Sequence, residues 1–249
     1  MADTLEFAPG DYRYIPGPFQ YSGGIAAQPG FEIRRIQFRT PVPLAQGFER
    51  IERLITASGR PLTSFGACEL RSPAPFTDEG FRAFNESYVA TLAKWGLFDG
   101  VTNPVARSNV CPEIDPPSAP SFHAFSFTVA SADVAPTFVI SGSGETREGT
   151  GTYAERGIRI GETSDDAMRD KADHVFGEME RRLALLGVDW SRTTATQVYT
   201  VYNIFPFLAD GIVRRGAARA GITWHFNRPP VRGLDFEVDC RGVALERVV

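Results

Sequence analysis

Two stretches of this 249-residue chain match each other at a fixed offset, and that internal repeat restricts the fold more than any other feature. Ile51-Glu52-Arg53-Leu54 aligns with Met179-Glu180-Arg181-Arg182 at a shift of 128, which also sets Gly59 on Gly187 and Ala67 on Ala195. Near the end of each copy, Phe122 to Val129 aligns with Phe236 to Val243 at a shift of 114. In the first copy an irregular arm rich in Pro, Gly and aromatics covers 1–30. Strands are predicted over 31–39, 62–71 and 122–129, and helices over 44–58 and 77–95. The helices follow from apolar spacing (Leu44, Phe48, Ile51, Leu54 and Ile55; Phe81, Phe84, Tyr88, Leu92 and Trp95), with Thr77 as an N-cap and Gly59 as a stop. The second helix's stripe reads as ordinary core. In the second copy strands are predicted over 138–140, 158–160, 193–202 and 234–245. A long helix capped by Thr163 or Ser164 runs to Leu186, and another crosses 206–220. A tandem β-β-α-β-α-β unit of about 110 residues accounts for this order. It predicts an α+β class with helices packed on one face of mixed sheets. The boundary falls at 131–136, which gives an N-terminal domain over 1–132 and a C-terminal domain over 133–249.

With 43% apolar and 22% charged residues the chain can bury a core, and a net charge of -4 offers no footprint for nucleic acid. No apolar run approaches the roughly 18 residues of a membrane span, and Met1 to Glu6 lacks the basic-then-apolar pattern of a leader. Three widely spaced cysteines, Cys68, Cys111 and Cys240, fit reduced thiols in a cytoplasmic protein better than a disulfide framework. Of 26 basic residues only Lys94 and Lys171 are lysines, both in helix-like segments, which disfavours Schiff-base catalysis. Arginine, in contrast, grips a carboxylate through two parallel hydrogen bonds.

Several familiar motifs fail. The glycine-rich run at 142–144 follows a strand, but Arg147 stands where a dinucleotide fingerprint needs glycine. No phosphate loop and no nucleophile elbow occur. His123, His174 and His225 have no metal-binding frame, and His174 with Glu178 reads as a solvated helix face. Two segments can carry chemistry. Arg107-Ser108-Asn109 enters a strand with hydroxyl and amide groups beside an arginine, the make-up of a carboxylate grip. The simpler reading is a surface arginine on a strand edge. In Leu234 to Cys240, period two puts Asp235, Glu237 and Asp239 on one face, where one of them can act as an acid/base on water. The simpler reading is an exposed sheet face.

Taken together these residues resemble the Rid family (YjgF-like), the small enamine/imine deaminases with a chorismate mutase-like fold. The similarity lies in Val139-Ile140-Ser141-Gly142, the helix ending at Gly187, Gln197 to Val201, and Pro230 to Gly233 followed by Phe236 to Asp239. In the first half it lies in Pro104 to Ser108. The resemblance implies that Arg107, with Ser108 and Asn109 beside it, anchors a substrate carboxylate. It implies that Gly142 offers a backbone N–H and that Glu237 is the acid/base that handles water. By the repeat, Gly23 is the counterpart of Gly142, and His123 stands where the second half has Glu237. The second half has Gly221 where Arg107 would map, so neither half alone holds both anchor and acid, and a composite site is expected. A tandem chain of this size is similar to the 2-aminomuconate deaminases of aromatic-compound degradation. The resemblance then implies hydrolysis of 2-aminomuconate or its 5-chloro analogue to a 2-oxo acid and ammonia, with no metal or organic cofactor required. It implies a small-molecule dicarboxylate as ligand, Arg228 or Arg232 for the distal carboxylate, and a homo-oligomer, with a trimer favoured. Two alternatives stand beside it: a non-catalytic Rid-like protein that binds small acids, and a chorismatase-like enzyme.

Overall fold

The computed structural model describes residues 4–133 and 135–249. Met1 to Asp3, at the start of the stretch examined for a leader, and Val134 in the boundary segment lie outside them. The elements in chain order are β1 (Leu5–Phe7), β2 (Tyr12–Ile15), β3 (Gly24–Ala27), β4 (Phe31–Pro43), α1 (Leu44–Ala57), β5 (Phe65–Arg71), α2 (Asp78–Lys94), β6 (Ala106–Pro112) and β7 (Ser121–Ala130). They continue with β8 (Phe138–Gly144), α3 (Tyr153–Arg156), α4 (Asp165–Leu185), β9 (Ala195–Tyr199), β10 (Thr223–His225), β11 (Asn227–Arg228), β12 (Glu237–Gly242) and β13 (Leu245–Val248).

Two mixed sheets result, in the α+β class expected. One runs β1-β2-β3-β8-β12-β9-β10 and the other β11-β6-β5-β7-β4-β13. Each holds the same kernel. The first strand of each half pairs antiparallel with the last, the last antiparallel with the second, and the second parallel with the third: β4-β7-β5-β6 and β8-β12-β9-β10. Helices α1 and α2 bury Phe48, Ile51, Ile55, Phe84, Tyr88 and Leu92 with residues of the six-stranded sheet. Helix α4 buries Met168, Val175, Phe176, Met179 and Leu183 with residues of the other. The Thr77 and Ser164 hydroxyls cap α2 and α4 by accepting from the Gly80 and Ala167 N–H groups. Gly187, in the left-handed region at φ +70°, ends α4. Among the described residues no helix is long and apolar enough to cross a membrane.

Three local expectations are corrected. The arm over 1–30 is not irregular: residues 5–27 form a meander, β1 to β3, that extends the second half's sheet through β3 and β8. Conversely, β13 near the end of the chain pairs with β4 of the first half, and β11 pairs with β6. The halves therefore exchange strands. Residues 158–160 form no strand, because Arg159 turns the chain at φ 47°. The helix across 206–220 is replaced by a short turn at 205–207 and a π-helical stretch at Leu208–Val213. Its buried apolar residues, Phe207, Ile212 and Ala217, recur every five positions, and Arg214 donates its N–H to Ala209 five residues back.

A buried charge cluster ties α4 to β8 and β12. Lys171, fully buried, pairs with Asp235 and lies 3.5 Å from Glu145. Glu145 in turn accepts the Asp235 and Phe236 N–H groups at 2.5 and 3.0 Å. Neutral Lys171→Met is expected to leave two buried carboxylates without their cation and to cost roughly 3–5 kcal/mol in urea unfolding.

Candidate active site

The two sheets meet where β6 runs beside β8. The Ser22 N–H donates to Val105 at 2.9 Å, which brings the loop before β3 against the strand that carries Arg107. The Ser141 hydroxyl completes the join. It donates to the Ser22 carbonyl at 2.5 Å and accepts the Arg107 N–H at 3.0 Å. A cleft of about 930 Å³ opens at this seam. Its walls include Arg107 and Asn109 from the six-stranded sheet, and Gly142 and Glu237 from the seven-stranded one.

Strand parity decides which neighbours of Arg107 take part. Arg107 and Asn109, two residues apart on β6, face the cleft, and Ser108 between them faces the other way. The Ser108 side chain instead lies with Asp239 beside a small interior cavity. Asn109 is buried, accepts the Ser72 hydroxyl at 2.9 Å, and keeps an Nδ2 with no partner.

The Arg107 guanidinium is 3% exposed and meets no carboxylate among the described residues. Aromatic rings surround it instead: Tyr88 at 4.9 Å, Tyr21 at 5.1 Å, Phe84 at 5.6 Å and Phe81 at 5.7 Å from centroid to Cζ. Ring faces hold a cation in place without neutralising it. Its Nη1 is buried with no acceptor, a donor left for an anion. The stripe on α2 that reads as bland core therefore also forms the platform under this guanidinium, and nothing in helical spacing distinguishes the two roles.

Glu237 opens β12. The turn before it is pinned by Glu145 through the Asp235 and Phe236 N–H groups, and by the Thr200 hydroxyl on the Asp235 carbonyl at 2.7 Å. The Glu237 carboxyl packs directly on the backbone of Gly142, so closely that a Cβ there would overlap Oε1. The β8–β12 register shifts opposite this point, and only glycine fits beside the acid. Burial pushes the Glu237 carboxyl well above the usual range. The Asp239 and Glu145 charges push in the same direction, while Arg107 and Arg71 oppose them. Burial thus favours the acid form of Glu237, beside a cation that has no ion-pair partner. The acidic face of 235–239 is not an exposed sheet face: Asp235, Glu237 and Asp239 are 8%, 4% and 5% exposed.

The remaining expected residues separate. Gly23 lines the cleft, but its N–H donates to Ile15 at 2.8 Å and its carbonyl accepts from Ser141, so it braces the wall on which Gly142 sits. His123 does not reach the cleft. It lies near Arg71, Glu69, Arg35 and His225, and burial with the Arg71 charge holds it neutral, its pKa lowered to about 3. Arg228 pairs with Glu113, and Arg232 donates to the Pro75 carbonyl; neither lines the cleft. His174 contacts the Thr146 carbonyl, and Glu178 pairs with Arg181 and Arg182. Among the described residues no group of three His, Cys, Asp or Glu side chains is placed to hold a metal ion, and the three cysteines are free and buried. The cleft also uses Tyr21, Tyr153, Arg147 and Arg182, which sequence spacing does not flag because they come from loops and a helix far apart in the chain.

The profile of the family described as 2-aminomuconate deaminase CnbZ matches residues 4–247. A 2-amino-5-chloromuconate deaminase of Comamonas testosteroni is 49% identical over 251 residues, covering 100% of both chains. Among solved structures, a chorismatase matches 92% of this chain and 79% of its own at a TM-score of 0.52 and 13% identity, a likeness of fold. The profile and the full-length relative both span the strands that carry Arg107 and Glu237, and by that shared length this chain belongs to the 2-aminomuconate deaminase family.

Proposed function

We propose that the chain is a hydrolytic deaminase of 2-aminomuconate or its 5-chloro analogue, and that Arg107 and Glu237 do the work at the seam between the sheets. The observation that carries the reading is an unpaired buried guanidinium and a buried carboxyl, its pKa pushed up by burial, opening into one cleft from different sheets. Relatives of the family are deaminases by name, and the full-length relative names the chloro substrate.

The chemistry follows from the protonation state. The substrate is an enamine, and its first need is a proton on carbon. Glu237, neutral, supplies it and becomes a carboxylate, while the substrate becomes an iminium. Water then adds to the carbon bearing nitrogen and gives its proton to Glu237. The same proton passes to the amine, the C–N bond breaks as the hydroxyl oxygen forms the carbonyl and returns its proton to Glu237, and ammonia leaves a 2-oxo acid with Glu237 again in its acid form. Arg107 holds the carboxylate next to the reacting carbon throughout. Asn109 Nδ2, also unpartnered, is a second donor to that carboxylate, and Gly142 lets Glu237 approach its backbone. These steps use no metal and no organic cofactor. We also infer tandem Rid-like units divided near 132 and 133, a trimeric assembly and a cytoplasmic location. The recurring strand order of the two sheets supports the first of these.

Ammonia release and loss of ultraviolet absorbance from freshly generated 2-aminomuconate test the reading. Glu237→Gln is expected to lower kcat by about 10²–10⁴-fold, and Arg107→Ala to lower kcat/KM by about 10–10²-fold, with a chelator present throughout. His123→Asn is expected to keep wild-type kcat. Release no faster than the spontaneous rate would refute the activity. In a pH series, kcat/KM is expected to hold below the raised pKa of Glu237 and to fall as pH rises through it, because the acid form is lost. The same raised pKa makes the buried carboxyl a growing cost to folding as pH rises from the ordinary carboxylate range up to the raised value, above which the cost levels off. The melting temperature of Glu237→Gln relative to wild type is therefore expected to climb over that range.

A further inference from the structure

The segment between β8 and α4 folds back over the cleft as a flap. Ile158 donates its N–H to Glu145 at 2.8 Å, and Arg147 donates its N–H to Arg156 at 3.1 Å. Arg156 returns a guanidinium hydrogen bond to the Arg147 carbonyl at 2.7 Å and lies over the Tyr153 ring. The flap reaches the first half through the Tyr153 N–H on Asp78, at 3.2 Å, and the Tyr153 ring edge on Phe81. The backbone of Arg147 is therefore fixed from both sides.

Its side chain lines the cleft, yet among the described residues its guanidinium has no hydrogen-bond or ion-pair partner. The other cations of the cleft are committed. Arg82 pairs with Glu86, Arg156 holds the flap, and Arg182 is held by Glu178 and by the Ser141 carbonyl. Glu148, next in sequence, pairs away with Arg181. Among the described residues, two cations of the cleft thus remain whose guanidinium has neither a hydrogen-bond nor an ion-pair partner: Arg107, buried at the seam, and Arg147, exposed on the flap.

We propose that Arg147 is a specificity-determining anchor that takes the distal carboxylate of a linear dicarboxylate whose other carboxylate sits on Arg107. The assignment rests on reading the cleft as the deaminase site, and it gives that site a preference for diacids over monoacids. An exposed guanidinium contributes little to an ion pair in water, but a bound chain of carbons between the two arginines shields it and strengthens the pair.

Calorimetric binding of cis,cis-muconate and of its monomethyl ester to the whole chain tests this, alongside turnover of 2-aminomuconate. Wild type is expected to bind the diacid about tenfold tighter than the ester. Arg147→Gln is expected to bring the diacid down to the ester and leave ester binding unchanged, whereas Arg147→Lys retains most of the difference. Arg107→Ala is expected to weaken both ligands. An unchanged diacid-to-ester ratio in Arg147→Gln, equal loss of both ligands in that variant, or no diacid binding by wild type overturns the anchor. The outcomes separate the two readings. Normal turnover with an unchanged ratio refutes the anchor alone, and an Arg147-dependent ratio without ammonia release refutes the deaminase reading alone.

Discussion

One serine hydroxyl bridges the two halves at the site. Ser141 donates to Ser22 and accepts from Arg107, so strand β8, the loop before β3 and strand β6 share one oxygen atom. A hydroxyl can do both because it is donor and acceptor at once, and its burial makes each unmade bond costly. The register of one sheet against the other is fixed at that point. The guanidinium of Arg107 and the carboxyl of Glu237 come from different sheets, and their relative position depends on the same register.

The cleft is built from unmet needs. Arg107 has aromatic faces where a carboxylate would be expected, and burial and the acids around it push the Glu237 carboxyl toward its acid form. A counter-ion from the protein would satisfy Arg107 and close the site. Other interior charges are paired, Arg35 gripping Glu69 through two hydrogen bonds and Lys171 sitting between Glu145 and Asp235, while buried Arg71 lies over the Tyr199 ring with its Nη2 unpartnered. An unpaired guanidinium and a carboxyl with a raised pKa opening into one cleft are the grounds for the proposed site.

Part of this is legible in the sequence. Residue type makes Arg107 and the acids at 235–239 candidates, the Rid-family resemblance singles out Glu237 among them, and the repeat points to both halves, because Gly221 and His123 stand at the complementary positions. The long helices are found because their caps and apolar spacing are local. What escapes is set by tertiary contact. Ser108 looks like a partner of Arg107, and strand parity turns it to the opposite side, toward Asp239. His123 occupies the position equivalent to Glu237, but its neighbours come from the other polar cluster. The aromatic stripe of α2 has the same spacing whether it meets leucine or guanidinium. The strands at 5–27 lack clear alternation, with Pro9, Gly10, Pro16, Gly17 and Pro18 between them, and their meander is joined to a sheet only where β3 pairs with residues more than 100 positions away.

The exchange of strands also bears on how the molecule is made. The seven-stranded sheet takes its first three strands from the beginning of the chain, and the six-stranded sheet takes an edge from residues 245–248. On a ribosome the first sheet to be synthesised must wait, lacking β13 and β11, until nearly all of the chain has emerged. Meanwhile β1 to β3 have no β8 to join. Contacts this distant in sequence make assembly slow. The early half would spend that interval with open strand edges, a state in which association with other nascent chains competes with folding.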